Sequence, residues 1–260
     1  MNDVRSAVRA WTTSELLTVM ASRALHDGQI VFAGVGVPLL AATLAQRLHA
    51  PGLTILFEGG VIGPFIVPGD LPPSTNEQRC TRRANMVCPI TDVLMLLQRG
   101  FVDVGFLGAA EIDRYGNINT SFIGDPDHPK TRLPGSGGGN DIASLAHVIV
   151  AMKHEKRRFV ERVQFVTSPG YLQGGASRRA AGLLAGGPEV IITDLAEMGF
   201  DPLSKRMRIE ALHPGVSVDE VKANTGFDLE AVHPLGVSEP PSDRELAMLC
   251  ELDPDRLYIA

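Results

Sequence analysis

Hydrophobic and polar positions along this chain follow two periods. Apolar residues three or four apart predict helices, and short apolar runs closed by glycine or charge predict buried strands. Thr12-x-x-Glu15 has capping-box spacing, and Leu16, Leu17, Met20 and Ala24 then share one face up to Gly28, which predicts a first helix. Residues 39–47, with Pro38 at the first turn, and 90–97 carry the same spacing. Ser217-x-x-Glu220 and Ser242-x-x-Glu245 open two late helices, the second entered through Pro240-Pro241. Strands are predicted over 30–33, 53–57, 102–108, 147–152, 163–166 and 190–193, and an exposed alternating strand over 206–212.

The run Leu53-Thr54-Ile55-Leu56-Phe57 ends abruptly in Glu58-Gly59-Gly60. This pattern predicts a buried parallel strand that delivers one acid to its carboxyl end, the edge where open α/β sheets bind ligands. Gly59 and Gly60 are expected to leave space for a substrate to approach the carboxylate. Glu58 is thus a candidate nucleophile or base; the competing reading is an acid that caps the next turn or meets an arginine.

Two glycine clusters stand near predicted helix starts. Gly34-Val35-Gly36-Val37-Pro38 lies between a strand and a helix, where backbone amides can hold an anion or a carbonyl oxygen. A dinucleotide fingerprint is incomplete, because the third glycine is replaced by Leu39, and no Gly-Lys-Ser/Thr follows. A purely structural tight turn is the alternative. Gly135-Ser136-Gly137-Gly138-Gly139 follows Lys130 and Arg132 and precedes an apolar segment; its unshielded amides suit an oxyanion hole, and a flexible linker is the alternative.

Composition narrows the picture. A chain of 260 residues is normal for a single α/β domain spanning 1–260, and 44% hydrophobic content without an apolar stretch of transmembrane length predicts no membrane span. The start, Met1-Asn2-Asp3-Val4-Arg5, lacks signal-peptide character, so a cytoplasmic location is expected. Cys80, Cys88 and Cys250 form no zinc-type pairs and are expected as reduced thiols. A net charge of −6 gives no reason to invoke nucleic acid, and an acidic coenzyme would need a local basic site. The run Lys153-His154-Glu155-Lys156-Arg157-Arg158 reads either as a phosphate or partner contact or as a solvated helix face. Seven scattered histidines show no ligand spacing, so no metal is expected, and no Gly-x-Ser-x-Gly elbow is present. Glu111 and Asp113, before Tyr115-Gly116-Asn117, read as turn acids rather than a catalytic pair.

Together these motifs carry a resemblance to the family I CoA-transferases, specifically to B (β) subunits of the glutaconate CoA-transferase type. The resembling stretches run in order from Gly34-Val35-Gly36-Val37-Pro38 and Glu58 through Asp113-Arg114-Tyr115-Gly116-Asn117 and His128-Pro129-Lys130-Thr131-Arg132. They continue through Gly135-Ser136-Gly137-Gly138, the 154–159 run, Thr167-Ser168-Pro169-Gly170 and Asn224-Thr225-Gly226-Phe227-Asp228.

The resemblance implies an open, mostly parallel α/β sheet flanked by helices, the CoA-transferase (NagB/RpiA-like) fold. It also implies a separate A (α) subunit that completes the active site in a hetero-oligomer. Substrates would be acyl-CoA esters and small carboxylic acids, dicarboxylic ones included, with no tightly bound cofactor. The residue matching Glu58 attacks the thioester and becomes a glutamyl-CoA thioester, and Gly137 and Gly138 fall in the matching glycine-rich segment. One departure is plain: relatives usually follow the glutamate with Ser-Gly or Asn-Gly, where this chain has Gly59-Gly60. Other relatives have lost the glutamate and act as decarboxylases or carbon-carbon bond hydrolases, so retention of Glu58 favours transfer.

Overall fold

The structure, a computed structural model, describes residues 11–183 and 186–260. The stretch 1–5 and part of the glycine-rich segment 170–187 lie outside these. The elements run α1 (Thr13–Arg23), β1 (Ile30–Phe32), α2 (Val37–Leu48), β2 (Thr54–Leu56), β3 (Val61–Ile62), β4 (Met86–Val87), α3 (Ile90–Gln98) and β5 (Val104–Leu107). Next come β6 (Glu111–Asp113), β7 (Ile118–Asn119), β8 (Phe122–Gly124), β9 (Pro129–Arg132), α4 (Gly139–Leu145), β10 (His147–Ala151) and β11 (Phe159–Val160). The chain ends with α5 (Ser177–Ala180), β12 (Gly187–Ile192), β13 (Ala196–Phe200), β14 (Met207–Leu212), α6 (Val218–Ala223), β15 (Glu230–Val237) and α7 (Asp243–Leu252).

Ten strands form one open sheet in the order β15-β14-β13-β12-β10-β5-β1-β2-β3-β4. From β12 to β2 every pairing is parallel, and antiparallel pairings enter at β3, β4 and β13. Capping boxes at Thr12 and Ser242 close α1 and α7 as their spacing predicts, and Ser217 caps α6.

Alternation along the strands divides the core between two faces. Val31, Ile55, Phe57, Val104 and Phe106 pack with α1, α2 and α7, whereas Phe32, Leu56, Val148 and Val150 pack with α3 and α4. The same period puts Glu58, two residues beyond Leu56, on the face that α4 covers. Gly105 lies on that face as well, and a Cβ built there would overlap Ile142 Cγ2. Only a residue without a side chain lets α4 sit this low on β5.

Several expectations are corrected. Residues 163–166 form no strand: Phe165 and Val166 are exposed, and the nearest pairing is a lone bridge from Ser168 to Ile118. Burial of an apolar run needs a neighbouring strand edge, and none is offered there. The 153–158 run is a loop rather than a solvated helix face, with the His154 ring 5% exposed and stacked on Phe159. The 206–212 strand is not exposed, since β14 lies between β13 and β15, neither of which the apolar pattern singled out. The irregular 59–85 segment holds β3 and a 3-10 turn over Gln78–Thr81.

Candidate active site

Glu58 follows β2 directly at the carboxyl edge of the parallel strands. The parallel register ends at Phe32↔Leu56 with the bond from Ala33 N to Leu56 O, and Glu58 sits in the turn that the Gly60 N to Phe57 O bond closes. The side chain is half-buried, and among the described residues its carboxylate has neither a hydrogen-bond donor nor a basic partner. The capping and arginine readings therefore do not describe this residue. Among the described residues no protein group competes with an incoming molecule for its oxygens.

The glycine-rich turn meets it. A Cβ built on Gly138 would lie 3.3 Å from Glu58 Oε1, and one on Gly137 would lie 3.9 Å from Oε2. Glu58, Gly137 and Gly138, about eighty residues apart in sequence, thus form one contact, and the linker reading of the turn is excluded. The turn is held from below. Gly135 N donates to Thr120 O and the Thr120 hydroxyl donates back to Gly135 O, each at 2.8 Å. Thr120 N donates to Thr167 Oγ1, and Asn140 Nδ2 donates to Thr167 O.

Gly59 and Gly60 are placed otherwise than expected. A side chain on Gly59 would press on Thr75 O at 2.6 Å, and one on Gly60 would overlap Cys88 O. Gly60 also takes φ +98°, which L side chains avoid. Protein backbone fills the space that the sequence pattern left for substrate, so close packing of the 75–76 and Cys88 segments explains both glycines. Gly34 borders open space, and Gly36, with φ +84°, is the residue preceding α2. Neither meets Glu58 within 4 Å of its Cβ position: nothing lies that close to Gly34, and Gly36 sits near Tyr258.

Sequence reasoning missed the residues that hold this geometry. The Arg178 guanidinium, 5% exposed, donates to Ala143 O and Ser144 O at the end of α4 and to Pro169 O and Gly170 O. Asn117 Oδ1 accepts from Gly170 N and Leu172 N, and its amide nitrogen donates to Asp113. Asp113 keeps the local bonds of a turn acid but is fully buried, and burial pushes its pKa up. Resemblance to the Asp113–Asn117 and Thr167–Gly170 motifs was the available signal, but no sequence feature showed that the two meet. Among the described residues no group of three or more His, Cys, Asp or Glu is placed to hold a metal ion, the three cysteines are free, and no helix is long and apolar enough to cross a membrane.

A bare carboxylate beside amide-rich backbone can serve as a nucleophile or as a base. Comparison with known proteins gives the family. Residues 14–224 match the family described as Coenzyme A transferase, and the chain belongs to that family. It is 40% identical over 246 residues to the B subunit of the 3-oxoadipate CoA-transferase of Pseudomonas knackmussii, covering 94% of each chain. It is 35% identical to the B subunit of the glutaconate CoA-transferase of Acidaminococcus fermentans, covering 96% of this chain and 95% of that one. The crystal structure of glutaconate CoA-transferase from A. fermentans superposes with a TM-score of 0.90, covering 96% of this chain and 98% of that chain. The decarboxylase AibA/AibB superposes with a TM-score of 0.81 at 27% identity, over the same shares.

Proposed function

We propose that this chain is the B subunit of a heteromeric enzyme that moves CoA between an acyl-CoA and a small carboxylic acid, dicarboxylic acids included, through a covalent intermediate at Glu58. The carrying observation is the contact between the unpaired Glu58 carboxylate and the Gly137-Gly138 backbone. A Glu58 oxygen attacks the thioester carbonyl carbon and the C–S bond breaks, leaving an acyl-glutamyl anhydride and CoA thiolate. The thiolate then adds to the glutamyl carbonyl, expels the acyl carboxylate and leaves a glutamyl-CoA thioester. The acceptor acid repeats both steps in reverse, so no proton is gained or lost. Each addition develops an oxyanion, which the amides of Gly137 and Gly138 are suited to receive.

The A subunit enters through the relatives, which are themselves B subunits. Glu58 stands on an open rim, and a second chain is needed to exclude water from an intermediate that water would hydrolyse. A cytoplasmic location belongs to the same reading.

Borohydride tests the proposal. The complex of this chain with its A subunit, incubated with acyl-CoA, should lose activity on reduction and carry the reduced residue at Glu58 by peptide mass. Glu58→Ala should be inactive from the start, and free turnover by that variant refutes the assignment. The similarity to a decarboxylase supports a second reading, with Glu58 as a base. Release of carbon dioxide, or consumption of the CoA ester without an acceptor acid, would favour it.

A further inference from the structure

We propose that the Asn76 side chain receives the acid substrate beside Glu58, an inference that rests on the acyl-transfer reading above. Glu58 and Gly59 are the two corners of the turn that the bond from Gly60 N to Phe57 O closes, so whatever covers Gly59 stands next to Glu58. Asn76 covers it. A Cβ built on Gly59 would overlap Asn76 Oδ1 and lie 3.1 Å from Asn76 Cα. With consecutive Cα atoms about 3.8 Å apart, the amide oxygen of Asn76 stands within roughly 8 Å of Glu58 Cα. That gap is of the size that the Glu58 side chain and a small acid occupy together.

The amide is available and its loop is fixed. Asn76 is exposed, and among the described residues its side chain makes no hydrogen bond. The Tyr258 hydroxyl donates to Pro72 O at 2.9 Å, Arg79 Nη1 donates to Leu71 O at 3.3 Å, and the buried Cys80 thiol donates to Ser74 O at 3.5 Å. Asn76 N donates to Ser74 Oγ at 3.2 Å. A polar group on a loop pinned this way meets a substrate without first being ordered.

Chemistry favours an amide at this place. The acid arrives as a carboxylate, and Gly59, next to the nucleophile, has no side chain to bind it. An arginine or lysine there would pair with Glu58 and lower its basicity. A primary amide offers two N–H donors to the acid and forms no ion pair, so the Glu58 oxygens stay unengaged. Held by Asn76 through one oxygen, the acid presents the other to the glutamyl-CoA carbonyl, and no bond to Asn76 forms or breaks.

The test uses the complex with its A subunit. The donor is acetyl-CoA, succinyl-CoA or glutaryl-CoA, whichever supports borohydride trapping, and the acceptors are acetate, butyrate, succinate and glutarate. Asn76→Ala should raise the acid KM about five- to tenfold with kcat within about twofold of wild type, as when binding is lost equally from ground and transition states. Asn76→Asp, of the same shape, sets a like charge against the acid and should raise its KM more than about tenfold, by a factor that shrinks as salt is raised. At saturating donor, trapping of the thioester at Glu58 should persist in both variants. Acid KM within about twofold of wild type in both, or a fall in kcat alone, overturns the role of Asn76 and leaves Glu58 as the nucleophile. A wild-type complex that forms no trappable thioester, or passes CoA to none of these acids, overturns both.

Discussion

Ile142 occupies the space that a side chain on Gly105 would need, so one bare position on β5 sets how deeply α4 sits on the sheet. The first turn of α4 follows the Gly137-Gly138 backbone that meets Glu58. Packing in the core and geometry at the site are therefore one relationship.

Gly105→Ala should cost about 1–3 kcal/mol through overpacking and lower turnover by lifting α4. Ile142→Ala in the same chain should recover part of the turnover. Urea titrations of both single variants and the double variant, combined as a cycle, measure the coupling, and strictly additive effects would contradict it.

Gly138→Ala probes the site more gently. Gly138 has φ −75°, which alanine adopts freely, but the new Cβ would sit 3.3 Å from Glu58 Oε1. Turnover should fall roughly 10- to 100-fold by displacement of the carboxylate, with a thermal midpoint close to wild type.

Arg178→Met removes the guanidinium that holds α4 to the 169–170 loop. Loss of bonds from a charged donor to buried carbonyls predicts a destabilisation of roughly 2–3 kcal/mol by denaturant titration. Turnover measured where the variant is fully folded should fall too, because the glycine turn loses its anchor.

Acid should act through His154. The ring is 5% exposed, with Nδ1 on Thr193 Oγ1 and Nε2 on Thr225 Oγ1, and burial lowers its pKa from 6.5 to about 4 against a weaker opposing effect of Asp194. Above pH 6.5 the ring is neutral in both folded and unfolded chains. As pH falls below 6.5 the unfolded chain takes up a proton that the folded one refuses until about pH 4, so stability drops across that window by roughly 3 kcal/mol. Urea midpoints between about pH 7.5 and 4 should fall more steeply for wild type than for His154→Gln.

Local signals settle what local physics controls. The capping residues Thr12, Ser217 and Ser242, the helical spacing of 39–47 and 90–97, and the apolar run ending in Glu58 are each legible, because neighbours a few residues apart decide them. Glu58 is legible as the acid that ends its run for that reason. Tertiary structure alone decided the rest. Whether 163–166 would find a partner strand, whether Gly59 and Gly60 faced substrate or the Thr75 and Cys88 backbone, and which buried arginine would clasp α4 all depend on residues distant in sequence. A side chain's surroundings are set by the elements packed against it, and for Glu58 the decisive neighbour was Gly138, carried in by α4 on the same face of the sheet.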